Sequence, residues 1–195
     1  KHPMSDRLTD EAWRQKLHQK LRELLGLGGE ERPALNVRSL WRRKHDLGTI
    51  EKIVFQSEPC ADVPAYVCLP KDAAPPYAFM ICLQGHSTGM HISIGVEQED
   101  ETTPFAVEGD RDFALGCMRR GMAALCVEQR AFGERRETDP QLVTDRACLS
   151  PAMQALLLGK TLIGERVYDV DRALDYLQSR EDVDMTRVGV MGNSG

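Results

Sequence analysis

The residues best equipped for chemistry are the last four, Gly192-Asn193-Ser194-Gly195, which follow the apolar run 188–191 (Val-Gly-Val-Met) with no spacer. A short apolar run of this kind is the pattern of a strand buried on both faces. Together they read as G-x-S-x-G cut one residue short, a motif in which the serine sits on a tight strand-to-helix turn. Glycines flank such a serine where a side chain would clash with neighbouring backbone and where positive φ costs little. The turn lifts the hydroxyl out of the sheet, and the amides of the helix behind it face an anion. Ser194 is therefore the candidate nucleophile and Gly192 a structural residue beside it. The competing reading is a plain Gly-Ser loop after a strand.

Acyl transfer from an ester needs a nucleophile, a base to activate it and donors aimed at the developing oxyanion. Two backbone N–H groups can supply the donors. One belongs to the residue after the nucleophile, Gly195, and the other to the loop after an earlier strand, Gln84-Gly85-His86. Gly85 is read as the residue that lets the chain turn, so that the amide of His86, with Ser87 as the fallback, points at the site. A base is harder to place. The histidines stand at positions 2, 18, 45, 86 and 91. His86 and His91 share the right loop but read first as pocket lining. In a sheet of this order the acid and the histidine of a triad follow the serine. The sequence ends one residue past it, so further residues carrying Asp or Glu and His are expected.

Stepping from the serine to what must hold it, strands are predicted at 49–56, 63–69, 78–83, 122–127 and 187–191, the first two as an antiparallel pair. Helices are predicted at about 9–25, 110–120, 151–158 and 162–179. In the last, Ile163, Val167, Val170, Leu174 and Leu177 form the apolar stripe, with Arg and Asp on the opposite face. The first helix has its own stripe, Trp13, Leu17, Leu21 and Leu24/Leu25, expected to pack on its own domain. Residues 30–46 read as charged and irregular, with 38–44 a solvated face rather than a phosphate site. Residues 90–109 read as an inserted surface loop with few apolar anchors. Apolar strands alternating with amphipathic helices imply an α/β fold, a mostly parallel sheet covered on both faces. Ligands in such sheets bind beyond the carboxyl ends of the strands, where loops 84–90, 128–150 and 192–195 converge. The expected division is a helical extension, residues 1–47, followed by the α/β domain, residues 48–195.

The chain has 195 residues and a net charge of -5. That charge argues against nucleic acid or an anionic membrane as partner, and no apolar run has the length of a membrane span. No signal peptide is visible at the polar N-terminus, and a cytoplasmic location is expected, although the sequence begins with Lys1 rather than Met. Six cysteines lack any ligand spacing, so no metal is expected, and Cys68, Cys82 and Cys126 read as small hydrophobes in strands. Gly159-Lys160-Thr161 resembles the end of a phosphate loop but lacks the glycine five residues earlier, since position 154 is Gln.

The succession of strand, Gln84-Gly-His loop, helix, strand, the run 128–135 (Glu-Gln-Arg-Ala-Phe-Gly-Glu-Arg), helix and the run 188–195 (Val-Gly-Val-Met-Gly-Asn-Ser-Gly) resembles the α/β-hydrolase fold. More narrowly it resembles the acetyl xylan esterase and dienelactone hydrolase-like branch, over about residues 60–195. In that branch Gln84 stands where His is usual, Glu128 where Asp is common, and Ala131 where Gly is. The resemblance implies a serine esterase acting on small carboxylic esters, often acetyl groups on sugars, with no cofactor and with the C-terminal part of the fold beyond this sequence. It places Arg130 and Glu134 in a structural role, holding the loop by ion pairs. The alternatives are a related serine hydrolase or a non-catalytic binding protein of the same fold. The first helix is a candidate surface for a homo-oligomer.

Overall fold

The computed structural model describes residues 10–29, 31–86, 88–136 and 148–194. Six strands form one sheet: β1 (Arg38–His45), β2 (Gly48–Glu58), β3 (Ala61–Pro70), β4 (Tyr77–Leu83), β5 (Ala123–Val127) and β6 (Val183–Gly192), in the order β1-β2-β3-β5-β4-β6. β1, β2 and β3 are antiparallel neighbours, and β5 lies antiparallel to β3. β5, β4 and β6 run parallel. The expected mixed sheet with an antiparallel front is thus the observed one. Four helices accompany it among the described residues: α1 (Glu11–Leu25), α2 (Phe113–Met118), α3 (Leu149–Leu157) and α4 (Leu162–Gln178).

The apolar strand runs are continuous because both faces are covered. Within them a period of two still sorts the side chains. Val63, Ala65 and Val67 of β3, with Phe79, Ile81, Leu125 and Val127, pack with Ala173, Tyr176 and Leu177 of α4. Tyr66, Cys68, Cys82 and Cys126 point the other way and pack with Ala114, Cys117 and Met118 of α2. The three strand cysteines are fully buried, as small hydrophobes would be.

Four expectations need correction. Residues 30–46 are not irregular throughout, since β1 pairs along β2 from Arg38↔Val54 to His45↔Gly48. Its alternation is hidden by arginines and lysines that point to water, which suits a sheet edge, where charge opposes pairing with another chain. Residues 90–109 are anchored: Met90, Ile92, Ser93 and Ile94 are buried in a 3₁₀ turn, Met90–Ile94. Within the same segment Glu101 turns inward. It accepts from Lys52 Nζ at 2.8 Å and Trp41 Nε1 at 2.9 Å, and also from the Tyr66 hydroxyl.

The stripe of α1 is mostly exposed and meets the domain at its C-terminal end, where Leu25 O accepts from Thr161 Oγ1 at 2.7 Å. The helix has no buried residue, and Leu17, Leu21 and Leu24 are exposed. Asp10 caps the helix by accepting from Ala12 N and Trp13 N, and Gly26 closes it at φ 69°. On α4 the expected faces are partly exchanged. Val170, Leu174 and Leu177 meet the core, but Ile163 and Val167 are exposed while Arg166, Asp169 and Arg172 are buried. The reason is an ion-pair network described below. No helix among the described residues is long and apolar enough to cross a membrane.

Candidate active site

β6 ends at Gly192 and the chain turns at once. Asn193 N donates to Leu83 O at 3.2 Å, which ties the turn to the end of β4. Ser194 then adopts φ 57°, and it is exposed. A left-handed backbone is uncommon for a residue with a side chain, and such positions cluster where surrounding structure and function demand them.

The glycine that permits this corner is not the one the motif suggests. A Cβ on Gly192 would meet only Leu83, at 3.6 and 3.7 Å, which is ordinary contact among the described residues. A Cβ on Gly85 would lie 2.4 Å from Asn193 O and 2.9 Å from Ser194 Cβ. Gly85 therefore serves close approach. Its φ is not positive, so what glycine supplies there is the absence of a side chain. The structure brings the 84–86 loop and the serine into direct contact, while Gly195 and Ser87 lie outside the described residues.

The loop is held from below by Gln84, which is buried. Its Nε2 donates to Ser93 Oγ at 2.8 Å and to Arg111 O at 2.7 Å, and its carbonyl accepts from Gln129 Nε2. Thr88 Oγ1 donates to Gly85 O at 2.7 Å. His86 is exposed, with its ring edge-on to Phe132 at 5.2 Å. No described residue accepts from its backbone N–H.

The histidines sort as follows. His91 Nδ1 is buried without a partner among the described residues, and burial pushes its pKa down against the pull of Glu97 and Glu101. His18 is exposed on α1, and His45 Nδ1 accepts from Leu47 N at 3.1 Å in the hairpin turn. His2 lies outside the described residues. Among those described, none hydrogen-bonds the Ser194 hydroxyl.

The start of the loop after β5 packs against the 84–86 loop, through Gln129 and Phe132. Arg130 reaches Asp169 through Nε at 2.9 Å and Nη2 at 3.0 Å, Glu58 at 2.7 Å and Glu165 at 3.2 Å. Arg135 adds a 2.6 Å contact to the same Asp169, and Glu134 pairs with Lys52 at 2.6 Å. Burial alone would raise the pKa of Asp169, but the two guanidinium groups hold it below the usual carboxylate range. Arg166 donates to Arg130 O at 3.0 and 2.8 Å and stacks over Phe132. These partners come from β2 and α4, far away in sequence, which is why the charges of α4 read as solvent-facing.

Glu128 is the residue the sequence reading undervalued. It is 1 % exposed and accepts from Met90 N at 3.1 Å and Glu134 N at 3.2 Å. Burial pushes its carboxyl up to about 7. Its sequence signals were a carboxylate directly after an otherwise apolar strand and a position where the resembled branch commonly has Asp.

Lys160 and Thr161 have structural work instead of phosphate. Lys160 pairs with Glu58 at 3.0 Å, and Thr161 caps α4 by accepting from Gly164 N at 3.0 Å. Among the described residues no group of His, Cys, Asp or Glu is arranged to hold a metal ion.

Against known proteins, the model of an abhydrolase family matches residues 2–195. YtaP of Bacillus subtilis (strain 168), named as a hydrolase, is 28% identical over 171 residues, covering 88% of this chain and 53% of that protein. Among solved structures, one assigned to the acetyl xylan esterases, from Bacteroides fragilis NCTC 9343, superposes with a TM-score of 0.77 at 18% identity, over 94% of this chain and 47% of that one. A glucuronoyl esterase from Solibacter usitatus gives 0.59 at 16%, over 95% and 54%. An acetyl xylan esterase from Paenibacillus sp. R4 gives 0.54 at 19%, over 98% and 56%. At these identities the structural likeness shows the fold, and the chain spans about half the length of each relative.

Proposed function

We propose that this chain, which belongs to the abhydrolase family, carries the nucleophile and the oxyanion loop of a serine hydrolase of small carboxylic esters. The observation that supports this most is the contact at the corner: Ser194 at φ 57°, exposed, with Gly85 packed directly against it. A loop that needs glycine to approach a strained serine is the arrangement acyl transfer calls for.

In the proposed cycle Ser194 Oγ attacks the ester carbonyl carbon while a general base takes its proton. The carbonyl oxygen becomes an oxyanion and is received by the backbone N–H groups of His86 and Gly195. Collapse of this intermediate expels the alcohol, which leaves with the proton returned by the base. Water then repeats the sequence on the acyl-enzyme and releases the acid. Each oxyanion donor is worth about 2.7–4 kcal/mol of transition-state stabilisation. The base and its acidic partner are assigned to residues that follow the serine in chain order. Arg130 is assigned a structural role through its carboxylate partners.

For substrate we infer an acetyl or similarly small acyl group on a sugar, a reading drawn from what the acetyl xylan esterases and the glucuronoyl esterase are named for. The test is labelling of the whole protein with a fluorophosphonate probe, followed by peptide mapping. Modification at Ser194, lost in Ser194→Ala, is the expected result. An unlabelled wild type that also fails to hydrolyse 4-nitrophenyl acetate would overturn the assignment.

A further inference from the structure

The geometry points to the buried carboxylate of Glu128 as the positioning residue that seats Gly85 and residues 88–90 against Ser194, an inference that rests on the esterase reading above. Two loops meet at this carboxylate. Oε1 accepts from Met90 N, on the loop after β4, at 3.1 Å, and Oε2 from Glu134 N, on the loop after β5, at 3.2 Å. The fit leaves no space. A Cβ on Gly133 would lie 2.0 Å from Oε2, and one on Gly89 would lie 2.9 Å from it.

From there a continuous path leads to the serine. Gly133 N donates to Thr88 O at 3.1 Å, and Thr88 Oγ1 donates to Gly85 O at 2.7 Å. Gly85 rests on Asn193 and Ser194. Gln129, next to Glu128, donates to the carbonyl of Gln84 and closes the clamp from its other end.

The chemistry of the group fits this task better than simple filling does. Two N–H donors face it, and only a carboxylate offers an acceptor oxygen to each. A glutamine of the same shape has one oxygen and would turn its NH₂ toward the second donor. Among the described residues no cation forms an ion pair with Glu128. The charged or titratable neighbours on the packed elements are Glu134, itself paired with Lys52, then Arg135, whose Nη1 donates to Glu128 O at 3.1 Å, His91, and Tyr66 of β3. A buried charge with no ion pair is costly, and burial accordingly pushes the carboxyl up to about 7. The ionised form, which accepts from both loops, is then the one that holds the site. It is gained over the same pH range in which a catalytic histidine loses its proton.

The experiment compares the whole protein with Glu128→Gln and Glu128→Asp, using 4-nitrophenyl acetate from pH 5 to 9 with folding checked by circular dichroism. In wild type the acid limb of kcat should be steeper than one proton allows, because two groups must be unprotonated. Glu128→Gln should lower kcat by about 10- to 100-fold, part of the loss seen when an oxyanion donor is removed. Its KM should stay within about 2-fold of wild type, and its acid limb should fall to one proton. Glu128→Asp, which keeps both oxygens, should recover part of the rate and retain the steep limb. A folded Glu128→Gln with unchanged kcat and an unchanged limb overturns the inference while leaving the esterase reading intact. If Glu128→Gln does not fold, a one-proton limb in both wild type and Glu128→Asp overturns it. A wild type without ester turnover or Ser194 labelling overturns both.

Discussion

Replacing Gly85 by alanine is the sharpest test of the proposed site, because it adds one carbon at the contact from which the function is argued. That carbon would sit 2.4 Å from Asn193 O, a full ångström inside ordinary contact, and 2.9 Å from Ser194 Cβ. Neither atom can swing aside, since one is backbone and the other is fixed by the backbone at φ 57°. The loop cannot retreat freely either, because Gln84 is anchored to Ser93 and Arg111 and Thr88 holds Gly85 O. Something must move by the better part of an ångström. A displacement of about 1 Å between reacting groups costs about 10²-fold in rate, equivalent to about 2.7 kcal/mol of barrier. Overpacking should also cost about 1–3 kcal/mol of stability. The assay is the second-order rate of fluorophosphonate labelling at Ser194 beside the melting temperature. The expected result for Gly85→Ala is labelling slowed about 100-fold in a protein that still folds. Gly116→Ala provides the control, since a Cβ there meets only the tip of Arg120 at 3.6 Å within α2, and labelling should be unchanged. Folded Gly85→Ala labelled within about 3-fold of wild type would refute the claim that this contact sets the serine.

Two further outcomes follow from the buried charges. Asp169→Asn weakens the acceptor of both Arg130 and Arg135 at a side chain that is 2 % exposed, so urea unfolding should show a loss of about 3–5 kcal/mol at neutral pH. Because the folded pKa of Asp169 is depressed, its contribution is whole above the ordinary carboxylate value and disappears as pH falls through the folded value. Variant and wild type should therefore converge in acid, and a constant difference across pH would count against the network. Glu101→Ala removes the acceptor of Trp41 Nε1 and of the Tyr66 hydroxyl and one partner of Lys52. A loss of about 2–4 kcal/mol, with tryptophan emission shifted to the red, is expected; unchanged stability would show that the 97–103 segment is not anchored there.

The parts of the fold that sequence reveals are those whose neighbours share one property. β3, β4 and β5 are apolar on both faces, so their runs stand out whichever way each side chain points, and the mixed sheet follows from them. The antiparallel β2–β3 pair was legible from the short, proline-containing connection at 57–62 between two strand-like runs. β1 was not, because only Trp41, Arg43 and His45 are even half-buried and its edge residues are charged. Met90–Ile94 was missed for a different reason: five residues contain too little periodicity to separate a buried 3₁₀ turn from a loop. The turn that carries Ser194 was legible, since it is a local feature of four residues.

What the sequence could not show is which residues complete one another across the sheet. Arg130 and Glu58 are 72 residues apart, Arg130 and Asp169 are 39 apart, and a helical wheel drawn on α4 alone can only send its charges to water. The same blindness affects the glycines. The motif directs attention to the flanking Gly192 because it is next in the chain, yet the contact that excludes a side chain is made by Gly85, more than a hundred residues earlier. Glu128 extends the point from sterics to charge. It ends an apolar strand, and it is tolerated there only because two amides, one from each loop, converge on it. A carboxylate so placed destabilises the fold by itself, and its interest lies in what those two amides belong to: the two loops whose spacing decides where the serine sits.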